Sequence, residues 1–366
     1  MNAPRRPTRR TIPNPAPRRT RGPRERRSAA LRRAAGSLTL LTLLGHTLLG
    51  FEQACLAPVV GALTGVAAEF GLETVDAWAR RRPARYLGTR DEAVDFFLPS
   101  YTCGLLCAML LHGDSGLAPV ALAVLIGVGG TYALRVRVPG AAAGPGGDVP
   151  GTPFMNPSNT GVTAVLLLFP WVGAAPQHQF TAGVSGPLDA IVPLVVLAAG
   201  LASTAGPAGR LPLVLGWTAG FALQALARGG LGDVSVAAAL LPMTGTAFAV
   251  HTAYMLADPA TAPRRPRDQV AFGLATAALY GLLVQFHVVS GLFLSLALAC
   301  AGRGLVLACA ARGPASAVPV RLGPPGGAAD APPYGRQPMP GAIRSSTRSD
   351  PSRRTSSNAP EASARR

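Results

Sequence analysis

The sequence predicts an all-α fold, namely a polytopic integral membrane protein built as a helix bundle. Apolar residues make up 49% of the 366 residues, whereas charged residues make up only 14%. Long windows such as residues 191–201 and 293–301 carry no charge at all. A bilayer core of roughly 30 Å requires apolar helices of about 20 residues, and this chain repeats segments close to that length.

Ten such segments follow one another along the chain, separated by polar, charged or Gly/Pro-rich connectors. They define a predicted membrane domain over residues 37–311. The flanking residues 1–36 and 312–366 have few large apolar side chains, so we predict that both Arg-rich tails are disordered. The ten predicted spans are residues 37–49, 54–68, 94–111, 117–134, 158–174, 188–203, 211–226, 234–255, 270–286 and 288–301.

The arginines indicate how these spans are oriented. All 34 basic residues are arginine, and 12 of them lie within the first 35 residues. With the N-terminus assigned to the cytoplasm, ten spans put 33 of the 34 arginines in cytoplasmic segments, and only Arg228 falls on the other side. Because cytoplasmic loops carry an excess of Lys and Arg, this split favours ten spans with both termini in the cytoplasm.

The net charge of +17 is better explained by a membrane partner than by nucleic acid. Arginine-rich tails are attracted to the anionic cytoplasmic leaflet, and these tails lack interleaved aromatic residues. We therefore expect the lipid bilayer as a partner and no nucleic acid. The five cysteines form no CxxC pair, and Cys103 and Cys107 have no adjacent histidine pair, so no metal site is predicted.

The polar cluster Asn156-Pro157-Ser158-Asn159 leads directly into the apolar run of the fifth span. Proline suits the first turn of a helix, and Asn156 or Ser158 can cap exposed backbone N–H groups. The cluster is then an ordinary helix start at the water interface. Irregular backbone at membrane depth is tolerated only where it is buried in protein or lines a cavity. The alternative is therefore a helix mouth that holds a ligand or cofactor.

Ionisable residues near the membrane supply the other candidates for a cavity or ligand site, because their burial is costly there. His46 and Glu52 lie near the first helical hairpin, and Asp258-Pro259 follows the eighth span. Asp258 either caps a following turn or pairs with a nearby arginine, or it acts together with Asn156 across the bundle. The predicted orientation puts both residues towards the cytoplasmic face, where they could meet.

Seven segments between residues 45 and 306 carry a further, more specific pattern. They are Gly45-His46-Thr47-Leu48-Leu49-Gly50-Phe51-Glu52-Gln53, Asn156-Pro157-Ser158-Asn159, Leu166-Leu167-Leu168-Phe169-Pro170-Trp171-Val172-Gly173, Leu241-Pro242-Met243-Thr244-Gly245, Tyr254-Met255-Leu256-Ala257-Asp258-Pro259, Pro266-Arg267-Asp268-Gln269-Val270 and Phe272-Gly273-Leu274-Ala275-Thr276-Ala277. Together these segments resemble the UnbU-type membrane proteins of enediyne biosynthetic gene cassettes. That group is itself similar to the RnfD/NqrB subunits of bacterial redox-driven ion pumps. The resemblance implies ten helices in the bacterial cell (inner) membrane, arranged as two inverted five-helix halves.

In those pump subunits a threonine within a Ser/Thr-Gly-Ala-Thr sequence carries covalently bound flavin mononucleotide, and Thr160-Gly161-Val162-Thr163 fits this pattern in part. The flavin motif belongs in a long extracytoplasmic loop, whereas Thr163 lies near the cytoplasmic start of the fifth span. The loop after that span is short, and its Thr181-Ala182-Gly183-Val184-Ser185-Gly186 lacks the terminal threonine. We therefore predict no covalent flavin mononucleotide, and the identity of any other cofactor stays open.

The resemblance implies a membrane component of enediyne biosynthesis that supports electron transfer or small-molecule movement, with other membrane or biosynthetic subunits as partners. Two further interpretations stay open, a channel-like or secondary transporter and a non-catalytic anchor for biosynthetic enzymes. The sequence contains no hydrolase constellation, phosphate-binding Gly loop or carboxylate pair. No catalytic residue is therefore predicted, and a stand-alone enzymatic activity is not expected.

Overall fold

The computed structural model describes residues 23–49, 51, 53–112, 116–136, 151–175, 186–231 and 234–312. This part of the chain is mostly helical, which confirms the coarse all-α prediction. Glu52, residues 1–22 of the predicted N-terminal arm and residues 313–366 of the predicted C-terminal tail lie outside the described residues.

Helices account for nearly all of the regular structure. The α-helices of the described chain are α1 (Pro23–Thr47), α2 (Ala57–Ala79), α3 (Arg90–Leu110), α4 (Ala118–Ala133), α5 (Pro157–Leu168), α6 (Leu188–Ser203), α7 (Ala205–Ala208), α8 (Leu211–Leu231), α9 (Val236–Leu240), α10 (Thr246–Val250), α11 (Pro266–Gln285) and α12 (Gly291–Arg312). Two 3-10 helices (Arg85–Leu87 and Leu241–Thr244) and a π-helix (His251–Leu256) accompany them. Two antiparallel ribbons pair β1 (Leu111–His112) with β4 (Gly173–Ala174) and β2 (Arg135–Val136) with β3 (Thr152–Pro153).

Each predicted span overlaps a helical segment, but several predicted boundaries are wrong, among them the end of the second span, since α2 continues to Ala79. Helix α1 begins at Pro23, so residues 23–36 are helical rather than part of a disordered arm. This helix has tertiary contacts, because Arg32 of α1 lies 2.8 Å from an Asp91 carboxylate oxygen and 2.7 Å from one of Asp95, both on α3, and Ala35 is buried. The fifth span is shorter than predicted, since α5 ends before Pro170, which cannot continue a helix.

Length and composition alone qualify only some of these helices as membrane spans. In the described chain α3 and α12 are long and apolar enough to cross a bilayer. A bent pair, Val236–Thr244 with Ala247–Leu256, raises that number to three if it forms one span. Other helices are short, such as α5 with 12 residues, or carry acidic side chains, as α2 does.

Close contacts between helix backbones join α2 to α3 and α4 to α5. A Cβ added to Gly61 of α2 would lie 2.4 Å from the carbonyl oxygen of Gly104 in α3. One added to Gly161 of α5 would lie 2.0 Å from the carbonyl oxygen of Ala123 in α4. Small residues permit such approaches and are typical of helix interfaces in membranes.

The helices of the first half alternate in direction. Helix α1 runs parallel to α3, because Arg32 meets the start of α3 and Thr42 Oγ1 lies 3.5 Å from the sulfur of Met109 near its end. Helix α2 runs antiparallel to α3 and parallel to α4. Helices α2 and α4 are parallel because Tyr132, near the end of α4, donates to Glu69 in the later part of α2.

Two helices in the later part of the chain are also parallel. Helices α8 and α11 run parallel, since Gly216 approaches Val270 near their starts and Gln224 approaches Gly281 nearer their ends. Along the chain, α8 and α11 are separated by α9, a 3-10 helix, α10 and the π-helix. We call these residues 236–256 the broken segment. Its two parts are bent by 63°. The bend lies at Pro242-x-Thr244-Gly245, where proline and glycine interrupt the helix and the backbone of Gly245 is extended.

Two different ends of the bundle result from this alternation. We call the end that holds Asn156 and the β2–β3 ribbon the arginine end, and the end that holds the β1–β4 ribbon the opposite end. Arg228, in the last turn of α8, lies at the opposite end. The arginines that the structure describes at the arginine end include Arg27, Arg32, Arg33, Arg80, Arg81, Arg82, Arg85, Arg90, Arg135, Arg210, Arg264, Arg265, Arg267 and Arg303.

Candidate functional site

Asn156 starts helix α5 and is buried at the arginine end. Its backbone is extended, its Oδ1 accepts from the Asn159 backbone N–H at 2.9 Å, and Pro157 occupies the first turn. Ser158 Oγ also donates to Asn156 Oδ1, at 3.1 Å. The predicted cap is confirmed, because an asparagine side chain can satisfy a backbone donor that the helix leaves unpaired.

The amide group of Asn156 reaches across the bundle to the end of the broken segment. Asn156 Nδ2 donates to Asp258 Oδ2 at 3.2 Å and to the Met255 carbonyl oxygen at 3.2 Å. The structure thus brings together the two residues that the sequence predicts on one face. Asn156 uses its two polar atoms differently, one to cap its own helix and the other to bind the facing half.

Asp258 accepts hydrogen bonds from the turn that follows it, in addition to the bond from Asn156. Its Oδ1 accepts from the Ala260 backbone N–H at 3.0 Å, and its Oδ2 accepts from Thr261 Oγ1 at 3.1 Å. Burial raises the pKa of Asp258 above the usual carboxyl value, and these hydrogen bonds, with that from Asn156, oppose the rise. Of the alternatives for Asp258, pairing with a nearby arginine such as Arg264 or Arg265 is not found among the described contacts, whereas the cap of a following turn and the contact with Asn156 are both present.

Arg210 is the charged group beside this turn. Sequence analysis used it only as one of the arginines that indicate the orientation of the spans. It is 6% exposed, and its guanidinium donates to the carbonyl oxygens of Pro263 and Pro259, the latter at 3.3 Å. Burial lowers its pKa, while the charge of Asp258 acts in the opposite direction. The sequence did contain a sign that Arg210 is buried, since this arginine stands alone between two long apolar segments.

Asn159 and Thr163 continue inward from Asn156 along α5. Asn159 is 1% exposed and its Nδ2 donates to the Phe293 carbonyl oxygen of α12 at 3.0 Å. Thr163 is buried, and within the described chain neither its Oγ1 nor Asn159 Oδ1 has a hydrogen-bond partner. A threonine enclosed by neighbouring helices is poorly placed for covalent attachment of a flavin, which argues against that role for Thr163.

The other predicted candidates lie elsewhere. His46 packs on Phe51 with ring centroids 5.2 Å apart, and its Nδ1 lies 2.9 Å from the Thr42 carbonyl oxygen in α1. This places His46 towards the opposite end, away from Asn156. Glu52 lies outside the described residues, so the structure does not bring it to any site.

A carboxylate network on α2 was missed by sequence reasoning, which treated this segment as a charged connector. Glu69 accepts from Ser100 Oγ at 2.5 Å and from Tyr132 Oη at 2.7 Å. Glu73, 0% exposed, pairs with Arg82 at 2.6 Å and with Arg85 at 3.0 Å. The four-residue spacing of the two acids on one helical face was the available signal.

The arginine end brings together three kinds of polar side chain. The described residues include no group of three or more His, Cys, Asp or Glu side chains suited to a metal ion. Cys103 and Cys107 are buried in α3, where they pack in the core. What the site offers is an amide, a carboxylate and a guanidinium, which together suit a small polar molecule or ion.

Comparison with protein-family models finds no match for this chain, and comparison with curated proteins finds none either.

Proposed function

We propose that this chain is a ten-span protein of the bacterial cell membrane that moves a small polar molecule or ion between two inverted five-helix halves. In this proposal the arginine end faces the cytoplasm and both termini lie there. The resemblance to UnbU-type proteins supports enediyne biosynthesis as the setting and other membrane or biosynthetic subunits as partners. The outer surface of the helices supports the placement in a membrane, and the helix directions support the ten spans. The Asn156–Asp258 contact supports transport.

The outer surface of the bundle supports a lipid environment. Leu63 of α2 is 65% exposed, Leu194 of α6 64% and Leu223 of α8 66%. Exposed apolar surface on this scale marks an interaction with a membrane or a partner. Trp78 at the arginine end and Trp171 at the opposite end are also exposed, and tryptophan is enriched at both water interfaces of a membrane.

The alternating helix directions support ten spans, even though several helices are individually short or charged. Successive segments begin alternately at the arginine end and at the opposite end, with the broken segment counted as one span. The connectors at one end carry the described arginines, with Arg228 as the exception among them. Since arginine excess marks the cytoplasmic side, a single orientation accounts for both observations.

The helix pairing supports two related halves. In the first half α1 packs parallel to α3, and α2 packs parallel to α4. In the second half α6 packs beside the broken segment, and α8 packs parallel to α11. The halves meet through α1 with α6 and through α5 with α12, which are corresponding helices of each half. Inverted repeats of transporters follow this pattern.

The observation that carries the functional proposal is the hydrogen bond from Asn156 to Asp258. It joins a helix start of the first half to the end of the broken segment in the second half, at a buried polar site. Transporters bind their substrates at such repeat interfaces, where discontinuous helices expose backbone and polar groups. Electron transfer has weaker support, because Thr163 is buried and the expected flavin loop falls on residues 176–185, outside the described residues.

The test uses the full chain purified and reconstituted in lipid vesicles. Light scattering after an osmotic step with urea, glycerol or larger polyols measures solute entry. We expect faster entry of at least one solute than in protein-free vesicles, and slower entry with Asp258→Asn. Asp268→Asn, an exposed acid at the same end, is the matched control and should behave as wild type.

Entry rates equal to those of protein-free vesicles for every solute and for protons would contradict the transport proposal. An absorption spectrum and an intact mass of the same sample test the redox alternative. An added flavin mononucleotide mass that disappears in Thr163→Val would favour electron transfer. Co-purifying biosynthetic enzymes, with neither flux nor chromophore, would favour the anchor.

A further inference from the structure

Two arginines that are distant in the sequence donate to one turn at the arginine end. The guanidinium of Arg210, just before α8, donates to the carbonyl oxygens of Pro259 and Pro263. The guanidinium of Arg303 in α12 donates to the carbonyl oxygen of Thr261, which lies between these two prolines in the chain. The turn therefore gathers two positively charged groups from different helices.

Within the described chain, these bonds leave N–H groups of both arginines unused. Arg210 is 6% exposed, and its Nε has no hydrogen-bond partner there. A guanidinium also carries more N–H donors than Arg210 or Arg303 uses on this turn. Buried polar atoms are normally paired, so the unpaired Nε calls for a partner that the described residues do not supply.

The positive charges at this turn outnumber the negative ones. In the part of the chain that the structure describes, none of Arg210, Arg264 and Arg303 forms a salt bridge. Burial lowers the pKa of Arg210, and the charges of Arg264 and Arg303 lower it further. The carboxylates within electrostatic range are Asp258 beside Arg210 and the exposed Asp268 beside Arg303. Three guanidiniums against two carboxylates leave an excess of positive charge, which attracts an anion.

A buried acceptor lies beside these donors. Gln269 of α11 is 2% exposed, and its Nε2 donates at 3.2 Å to the Pro263 carbonyl oxygen, the same oxygen that Arg210 contacts. Its Oε1 is unpartnered in the described chain. A ligand with both anionic oxygens and an O–H group would satisfy Arg210 and Gln269 together. Phosphate provides the anionic oxygens, and a hydroxyl on the phosphate or on its ester provides the O–H group.

We propose that Arg210, Arg303 and Gln269 bind the phosphate group of an anionic ligand at the arginine end. The inference rests on the proposed membrane function and names the class of ligand that the site takes at its cytoplasmic side. The ligand can reach the turn from water, because Pro259 and Arg264 are exposed there. Arginine favours phosphate through paired N–H donors. The phosphate group belongs either to a soluble molecule or to a lipid head group, since basic pockets between membrane helices bind head groups on this side.

The test measures ligand binding to the full chain, purified in an uncharged detergent, through the rise in its melting temperature. One probe is inorganic phosphate against chloride at equal ionic strength, and the other is phosphatidylglycerol against phosphatidylcholine. We expect a rise with at least one probe, and binding weaker by about tenfold or more in Arg303→Gln, the scale of losing a hydrogen bond between charged groups. Arg267→Gln, which removes an exposed arginine of α11, is the matched control and should bind as wild type.

The two probes separate the sources of the ligand. A rise with inorganic phosphate supports a soluble ligand, and a rise with phosphatidylglycerol alone supports a lipid head group. If Arg303→Gln is not recovered as folded protein, Gln269→Glu decides, because it keeps the shape of the side chain and adds a negative charge beside Arg210. It should also weaken binding by about tenfold or more.

No rise with either probe, or equal binding by wild type and the deciding variant, would overturn the inference. Solute entry into vesicles without binding of either probe would leave the proposed function intact and reject only this inference. Binding that Arg303→Gln weakens, without solute entry, would support the phosphate site and contradict transport.

Discussion

Replacing Asn156 by alanine removes its four side-chain hydrogen bonds, and the structure allows the two largest losses, the helix cap and the donor to Asp258, to be weighed. Loss of the cap on α5 costs about 1 kcal/mol. Loss of the amide donor leaves the Asp258 carboxylate short of a partner in a buried site, which costs about 1–3 kcal/mol. Since Asp258 keeps its bonds from Ala260 and Thr261, we expect a total loss of unfolding free energy of about 2–4 kcal/mol.

The assay is reversible unfolding of the purified chain in mixed micelles with increasing SDS, followed by tryptophan fluorescence. Ser158→Ala is the matched control, because it removes only the 3.1 Å bond to the same Asn156 oxygen. It should cost about 1 kcal/mol or less. A double-mutant cycle of Asn156→Ala with Asp258→Asn should give a coupling of about 0.5–3 kcal/mol. A loss no larger than that of Ser158→Ala, with no coupling, would refute the inter-half contact.

Three further predictions test separate parts of the structure. The pKa of Asp258 is raised by burial, so the folded state holds this proton more tightly than the unfolded state. Stability should therefore fall as pH rises from the usual carboxyl pKa through the raised value, and Asp258→Asn should remove that fall in melting curves between pH 4 and pH 8. Gly161→Val should cost about 1–3 kcal/mol or more by separating α4 from α5, whereas Gly129→Ala, where an added Cβ meets nothing, should be neutral or stabilising. Arg82→Gln should cost about 1–3 kcal/mol in the same SDS assay by removing a charged partner of buried Glu73, and a loss near zero would mean that Arg85 alone suffices.

Features that depend on local chemistry could be predicted from the sequence. The Asn-Pro pair specifies a capped helix start through its own side chain and ring, so α5 begins where the sequence indicates. The break at Gly245 follows in the same way from proline and glycine. The contact of Asn156 with Asp258 spans 102 positions of chain, yet the arginine distribution sufficed to predict both on one face.

Features that depend on partners distant in the chain could not be predicted. Residues 23–36 form a helix that contacts acidic side chains of α3 through Arg32, whereas composition alone indicated disorder. The environment of His251 depends on rings from α8 and α12 that no local pattern brings together. The role of Arg210 could not be predicted for another reason. An arginine in a connector is expected from the orientation of the spans, so nothing in its residue type indicated that it also donates to a buried turn.

Two native cysteines at opposite ends of the bundle provide the most direct test of the proposed orientation. Cys55, before α2, and Cys309, near the end of α12, are exposed, whereas Cys103, Cys107 and Cys300 are buried. A membrane-impermeant maleimide added to intact bacterial cells, with their outer layer made accessible, should label Cys55 and spare Cys309. Cys309 should become labelled only after the cell membrane is permeabilised. Labelling of Cys309 in intact cells, or of both cysteines from the same side, would contradict a ten-span bundle with its arginine end in the cytoplasm.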